Sequence, residues 1–82
     1  MYYVYLLKSL LDGSSYVGYT NDEPKIRLDE HNSGQNRWTR KYRPYQLVYY
    51  ESYYCKKDAL HREKFLKSGV GNKLVKLIIE NF

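Results

Sequence analysis

Eighty-two residues, 43% of them hydrophobic and 28% charged, are enough for one small folded domain with a single core and too apolar for a disordered chain. No apolar run approaches the roughly 18 residues of a membrane span, no basic leader precedes an apolar stretch, and a single cysteine, Cys55, excludes an internal disulfide and a four-cysteine zinc site. The chain therefore reads as soluble and cytoplasmic, with no membrane partner. Its net charge is +5, and it carries 11 tyrosines against 2 phenylalanines. Tyrosines among basic residues suit a surface that meets phosphates, although most of them are expected to be amphipathic strand residues.

Residues 2–7 are predicted as a strand, with Val4 and Leu6 on one face and Tyr3, Tyr5 and Leu7 on the other. Asp12-Gly13-Ser14 marks a turn, and residues 16–19 form a second strand, giving an antiparallel hairpin with a loop longer than two residues. Asn21 or Asp22 is placed to cap a helix that starts at Pro24, runs through Ile26, Arg27, Leu28 and His31, and stops at Asn32-Ser33-Gly34. Arg27 and His31, four apart, share a face. Residues 33–44 read as a polar loop with Arg37, Arg40, Lys41 and Arg43 around Trp38 and Tyr42, inside an acid-free stretch from Asn32 to Tyr50.

Residues 46–53 are predicted as a third strand, with Leu47, Tyr49 and Glu51 on one side and Val48, Tyr50 and Ser52 on the other. A helix over 56–68 follows, ended by Gly69, with Cys55 where serine or aspartate would cap better. A last helix runs from about Asn72 to Asn81, with Leu74, Leu77 and Ile78 as its stripe. The order β-β-α-β-α-α implies an α+β fold: a small three-stranded antiparallel sheet flanked by helices.

The ordered motifs Tyr3-Val4-Tyr5, Tyr16-Val17-Gly18, Thr20-Asn21-Asp22, Arg27-Leu28, Glu30-His31-Asn32-Ser33-Gly34, Arg43-Pro44, Leu47 to Glu51, Asp58-Ala59-Leu60 and Arg62-Glu63-Lys64 resemble the GIY-YIG endonuclease superfamily. The resemblance is to its small standalone bacterial-type members and runs from Tyr2 to about Leu77, so residues 1–82 are read as one nuclease domain. It implies metal-dependent phosphodiester hydrolysis, with catalytic positions falling on Tyr5, Tyr16, Arg27, His31 and Glu63. It also implies that Glu63 holds a divalent metal, usually magnesium, with manganese as the substitute. Tyr3 stands in place of the first motif's glycine, and the segment from Tyr16 to Arg27 is one residue longer than usual. Val75 stands where many members have an asparagine, Asn72 being the nearest one.

The residues themselves leave alternatives open. Glu63 lies on the apolar stripe of its helix between Ala59, Leu60 and Leu66, so its charge needs a partner: a metal, or an ion pair with Arg27 or a neighbouring lysine. Arg27 offers a planar set of donors for phosphate, or is a solvated helix arginine. His31 is a base near neutrality or a helix C-terminal cap. Tyr5 and Tyr16 share a pocket or form a cross-strand pair, and either could serve as the base. Arg37, Trp38, Arg40, Lys41 and Arg43 are the expected nucleic-acid contacts, with Trp38 or Tyr42 stacking on a base; the alternative puts Trp38 in the core. Cys55 reads as structural.

The leading reading is a metal-dependent endonuclease acting on DNA, on branched, nicked or damaged DNA rather than a fixed sequence, which would suit DNA repair. Sequence specificity in so small a chain would require a homodimer or a protein partner. The alternatives are a non-catalytic nucleic-acid-binding module and an accessory subunit of a DNA-processing complex.

Overall fold

The computed structural model describes residues 1–81. Its elements are β1 (Tyr2–Ser9), β2 (Ser15–Thr20), α1 (Pro24–Asn32), a single 3-10 turn (Arg40–Tyr42), β3 (Tyr45–Tyr53), α2 (Lys56–Lys67) and α3 (Gly69–Glu80). They occur in the expected order and form the expected α+β architecture. The strands make one antiparallel sheet in the order β2-β1-β3, so the first strand is the central one.

Alternation along β1 divides the interior in two. Val4 and Leu6 join Val17, Val48, Ala59, Leu66, Val75 and Ile79 beneath α2 and α3. Tyr5 and Leu7 join Tyr45, with Tyr16, Leu28 and Leu47 packed against them, on the face that α1 covers. The first cluster is aliphatic and supplies most of the hydrophobic stabilisation, about 1.5–3 kcal/mol per fully buried large side chain. The second is rich in hydroxyls and receives a histidine, described below.

The expected alternation of β3 fails at one point. Leu6 pairs with Tyr49 but Leu7 pairs with Leu47, so Val48 is an extra residue in the strand. This bulge moves Leu47 to the Tyr5 face, while Val48 and Tyr49 both meet the aliphatic core. Neither Asn21 nor Asp22 caps α1; Glu23 occupies the cap position without a side-chain bond, and Pro24 opens the first turn. Gly69 does not end α2 but begins α3, three residues before the expected start. Ser68 caps α3 by accepting from the Gly71 amide at 3.2 Å. Gly71 is required by close approach, since a Cβ there would lie 1.9 Å from the Phe65 carbonyl oxygen. Among the described residues no helix is long and apolar enough to cross a membrane.

A polar clamp fastens α2 to β3. Arg62 donates to both Glu51 oxygens, at 2.9 and 3.0 Å, and the Tyr49 and Tyr53 hydroxyls donate to the same carboxylate. Burial pushes the Glu51 carboxyl up, but these bonds outweigh it and hold it below its ordinary value. Burial and the same carboxylate push the Tyr53 phenol up to about 12. Glu51→Ala strands three donors, with an expected cost of about 2–3 kcal/mol in urea unfolding at neutral pH. Because the folded-state value is depressed, the Glu51 contribution is complete above the ordinary carboxylate range and is lost as pH falls through the folded value. The gap between parent and variant should therefore narrow in acid; a constant gap would mean that packing, not charge, holds this joint.

Candidate active site

Tyr5 stands at the middle of the central strand, opposite Gly18 of β2. Its ring lies across the Gly18 backbone: a Cβ at that position would sit 2.2 Å from Tyr5 Cζ. The glycine of Tyr16-Val17-Gly18 is thus the space into which the phenol folds. From there the Tyr5 hydroxyl reaches His31 Nε2 at 2.9 Å. His31 comes from the last turn of α1 and is 1% exposed. Its Nδ1 bonds Thr39 Oγ1 at 2.6 Å, so it is not a cap for the helix carbonyls. Tyr16 lies against the imidazole with centroids 4.9 Å apart, Tyr45 flanks it at 6.3 Å, and the Tyr5 and Tyr16 rings are 6.3 Å apart. Tyr5 and Tyr16 are thus both neighbours across strands and walls of one histidine pocket.

Burial raises the Tyr5 phenol above its ordinary value; the Arg27 guanidinium beside it pulls the other way but does not win, and the Glu63 charge adds to the rise. Burial, and then the Arg27 charge, lower His31. Near neutral pH the pair is a protonated phenol and a neutral imidazole. Either neutral tautomer satisfies both bonds: with Nδ1–H donating to Thr39, Nε2 accepts the Tyr5 proton, and with Nε2–H donating to Tyr5, Nδ1 accepts from Thr39.

Arg27 pairs through Nη1 with Glu30 on its own helix rather than with Glu63. Its Nε is buried with no hydrogen-bond partner among the described residues. Arg27 lines a cleft of about 170 Å³ together with Glu30, His31, Gln35 and Asn36. A guanidinium lining a cleft beside a hydroxyl–imidazole pair suits an anionic oxygen. Glu63 on α2 pairs with Lys67 at 3.2 Å and is 21% exposed in its side chain. Of the ion-pair partners open from the sequence, Arg27 and a neighbouring lysine, the lysine holds it in this state.

No group of three or more His, Cys, Asp or Glu is placed to hold a metal among the described residues. Magnesium does not need one: it retains waters and takes one or two carboxylates together with substrate phosphate. Glu63, a half-buried hard oxygen donor whose charge reaches Tyr5, fits that demand. Asn72 lies elsewhere, lining a cavity of about 460 Å³ with Gly13, Ser14 and Ser15.

Arg37, Trp38, Arg40, Lys41 and Arg43 are all exposed on the segment between α1 and β3. Trp38, at 81% exposure, is not a core residue. Lys41 lies over the Tyr42 ring, and Arg43 lies on Gly34. Two residues that sequence reading missed, Thr39 and Tyr45, complete the histidine pocket; a threonine within a basic loop and a tyrosine at a strand start carry no local signal of it. Cys55 is exposed at the α2 cap position without a side-chain bond, so it plays no packing role.

The matching family is the GIY-YIG catalytic domain, whose model covers residues 1–75. The chain belongs to this nuclease family. It is 44% identical over 80 residues to a UPF0213 protein of Staphylococcus saprophyticus, covering 96% of this chain and 95% of that one. It is 41% identical to a UPF0213 protein of Staphylococcus aureus over the same shares. A solution NMR structure of a UPF0213 protein from Bacillus halodurans matches with a TM-score of 0.55 at 36% identity, covering 94% of this chain and 85% of that one.

Proposed function

We propose that the chain is a divalent-metal-dependent endonuclease that hydrolyses DNA phosphodiester bonds. The observation that carries this reading is the Tyr5 hydroxyl held on a neutral His31 beside a guanidinium with an unpaired buried N–H.

The residues divide the work as follows. Attacking water gives its proton to the Tyr5 oxygen as the phenol passes its own proton to His31 Nε2. The new O–P bond forms while the ester P–O bond breaks, and the leaving oxygen takes a proton from solvent. In the tautomer this step uses, Thr39 accepts from Nδ1–H and Nε2 is free to receive the proton. Tyr16 and Tyr45 wall the imidazole and keep it neutral until it receives the proton. Arg27 receives the charge that builds on the phosphoryl oxygens. Glu63 would hold magnesium, which supplies further positive charge to the phosphate when bound.

Tyr5→Phe keeps the ring over Gly18 and removes only the transferable proton. Single-turnover cleavage of a nicked or branched duplex in magnesium should slow by about a hundredfold or more, with the fold intact by circular dichroism. The parent rate should fall in acid only below the ordinary histidine value, because His31 is lowered. A Tyr5→Phe protein that cuts at the parent rate would transfer the base role away from Tyr5.

A further inference from the structure

We propose that Trp38 is a stacking platform for an unpaired base, and that the preferred substrates carry a single-stranded stretch beside the cleaved bond. The second half rests on the nuclease reading above; the first does not.

Trp38 is the chain's only tryptophan and is left 81% exposed in a protein whose other aromatic rings mostly serve the sheet. Its loop is held rather than loose. Asn36 Oδ1 accepts from the Trp38 and Thr39 amides at 2.8 and 3.2 Å. Asn32 exchanges two bonds with the Tyr45 backbone, closing the loop at its base. Ser9 donates to the Tyr42 carbonyl at 2.6 Å, and the Leu10 amide to the Pro44 carbonyl at 2.8 Å, so the β1–β2 hairpin braces the far side. The next residue, Thr39, is buried on His31. The backbone that carries this solvent-facing indole is thus held one residue from the histidine pocket, and Asn36, which holds it, also lines the Arg27 cleft.

The surroundings select the occupant. Arg37, Arg40, Lys41 and Arg43 are exposed on the same segment, and no acidic residue occurs between Asn32 and Tyr50. A polyanion with flat apolar faces complements this surface better than an acidic peptide does. Bases within a duplex already stack on one another, so an indole on an exposed loop stacks only on a base that has left the helix. A ring on a held backbone loses less freedom on binding than one on a loose loop, which favours such a contact.

The test uses the full chain in EDTA, so that binding is read without cleavage. The probes are an oligothymidine of about ten nucleotides, an abasic oligonucleotide of the same charge, and a blunt duplex. The parent's tryptophan fluorescence should be quenched by the oligothymidine and not by the abasic strand. By anisotropy of labelled probes, Trp38→Ala should weaken oligothymidine binding about 10- to 100-fold and leave duplex and abasic binding within about twofold. Trp38→Phe should restore part of the loss. Neutralising Arg37, Arg40 and Arg43 together should weaken all three probes and flatten the salt dependence. Equal losses on all probes, or none with Trp38→Ala, would overturn the platform. Base-dependent binding by a protein that never cuts DNA in magnesium would remove the nuclease reading and keep the platform. Cleavage that is indifferent to Trp38 on single-stranded and duplex substrates alike would remove the single-strand preference and keep the nuclease reading.

Discussion

Arg27→Ala should slow single-turnover cleavage about 10²- to 10³-fold while weakening DNA binding less than about tenfold. The asymmetry follows from where the guanidinium stands. Its Nε is buried with no hydrogen-bond partner among the described residues, the residue lines a cleft with His31, and its charge acts on both Tyr5 and His31. Ground-state affinity comes chiefly from many phosphate contacts, of which one arginine is a small share. The charge that grows on the phosphoryl group in the transition state has few receivers, so losing one is felt in the rate. A second readout separates this from mere binding. The Arg27 charge holds His31 down, so its removal should raise the pH at which activity falls in acid. The pairing with Glu30 is partly exposed and intrahelical, so stability should change little, by about 0.5 kcal/mol at most. Equal losses in rate and affinity, with an unmoved acid limb, would make Arg27 a binding residue only.

Glu63→Gln should cost still more activity, about a thousandfold or more in magnesium, because the chain offers no three-ligand cluster among its described residues to hold the ion otherwise. The substitution keeps shape and removes charge. In this state Glu63 is held by Lys67, itself half exposed, so the metal-free variant should lie within about 1 kcal/mol of the parent. Magnesium at about ten times its dissociation constant should stabilise the parent by about 1.4 kcal/mol and leave the variant unmoved. If Glu63 served only its ion pair with Lys67, magnesium would shift neither protein and cleavage would survive.

The parts of this fold visible in the sequence are those set by short periods. Alternation in β1 placed Val4 and Leu6 against Tyr5 and Leu7, and the structure keeps that division. The bulge at Val48 was invisible because Leu47, Val48 and Tyr49 alternate as well as any regular strand; only pairing with β1 reveals the extra residue. Gly69-Val70-Gly71 reads as a breaker, yet Gly71 is there because α3 crosses the Phe65 carbonyl too closely for a side chain. The Glu51–Arg62 clamp joins residues 11 apart on different elements, beyond any local rule. At the site, spacing alone left Arg27, His31 and the tyrosines with structural explanations beside the functional ones. The family resemblance singled them out, and the geometry joins Tyr5, Tyr16 and His31 in one pocket beside Arg27. Thr39 escaped because its partner lies across a loop whose path no motif specifies.

The most direct measurement of the central claim is nicking of supercoiled plasmid by the parent and by folded Glu63→Gln, side by side, in magnesium and in EDTA. The account predicts nicked circles from the parent in magnesium alone and none from the variant in either buffer. A folded Glu63→Gln protein that nicks at the parent rate, or a parent equally active in EDTA, would contradict it.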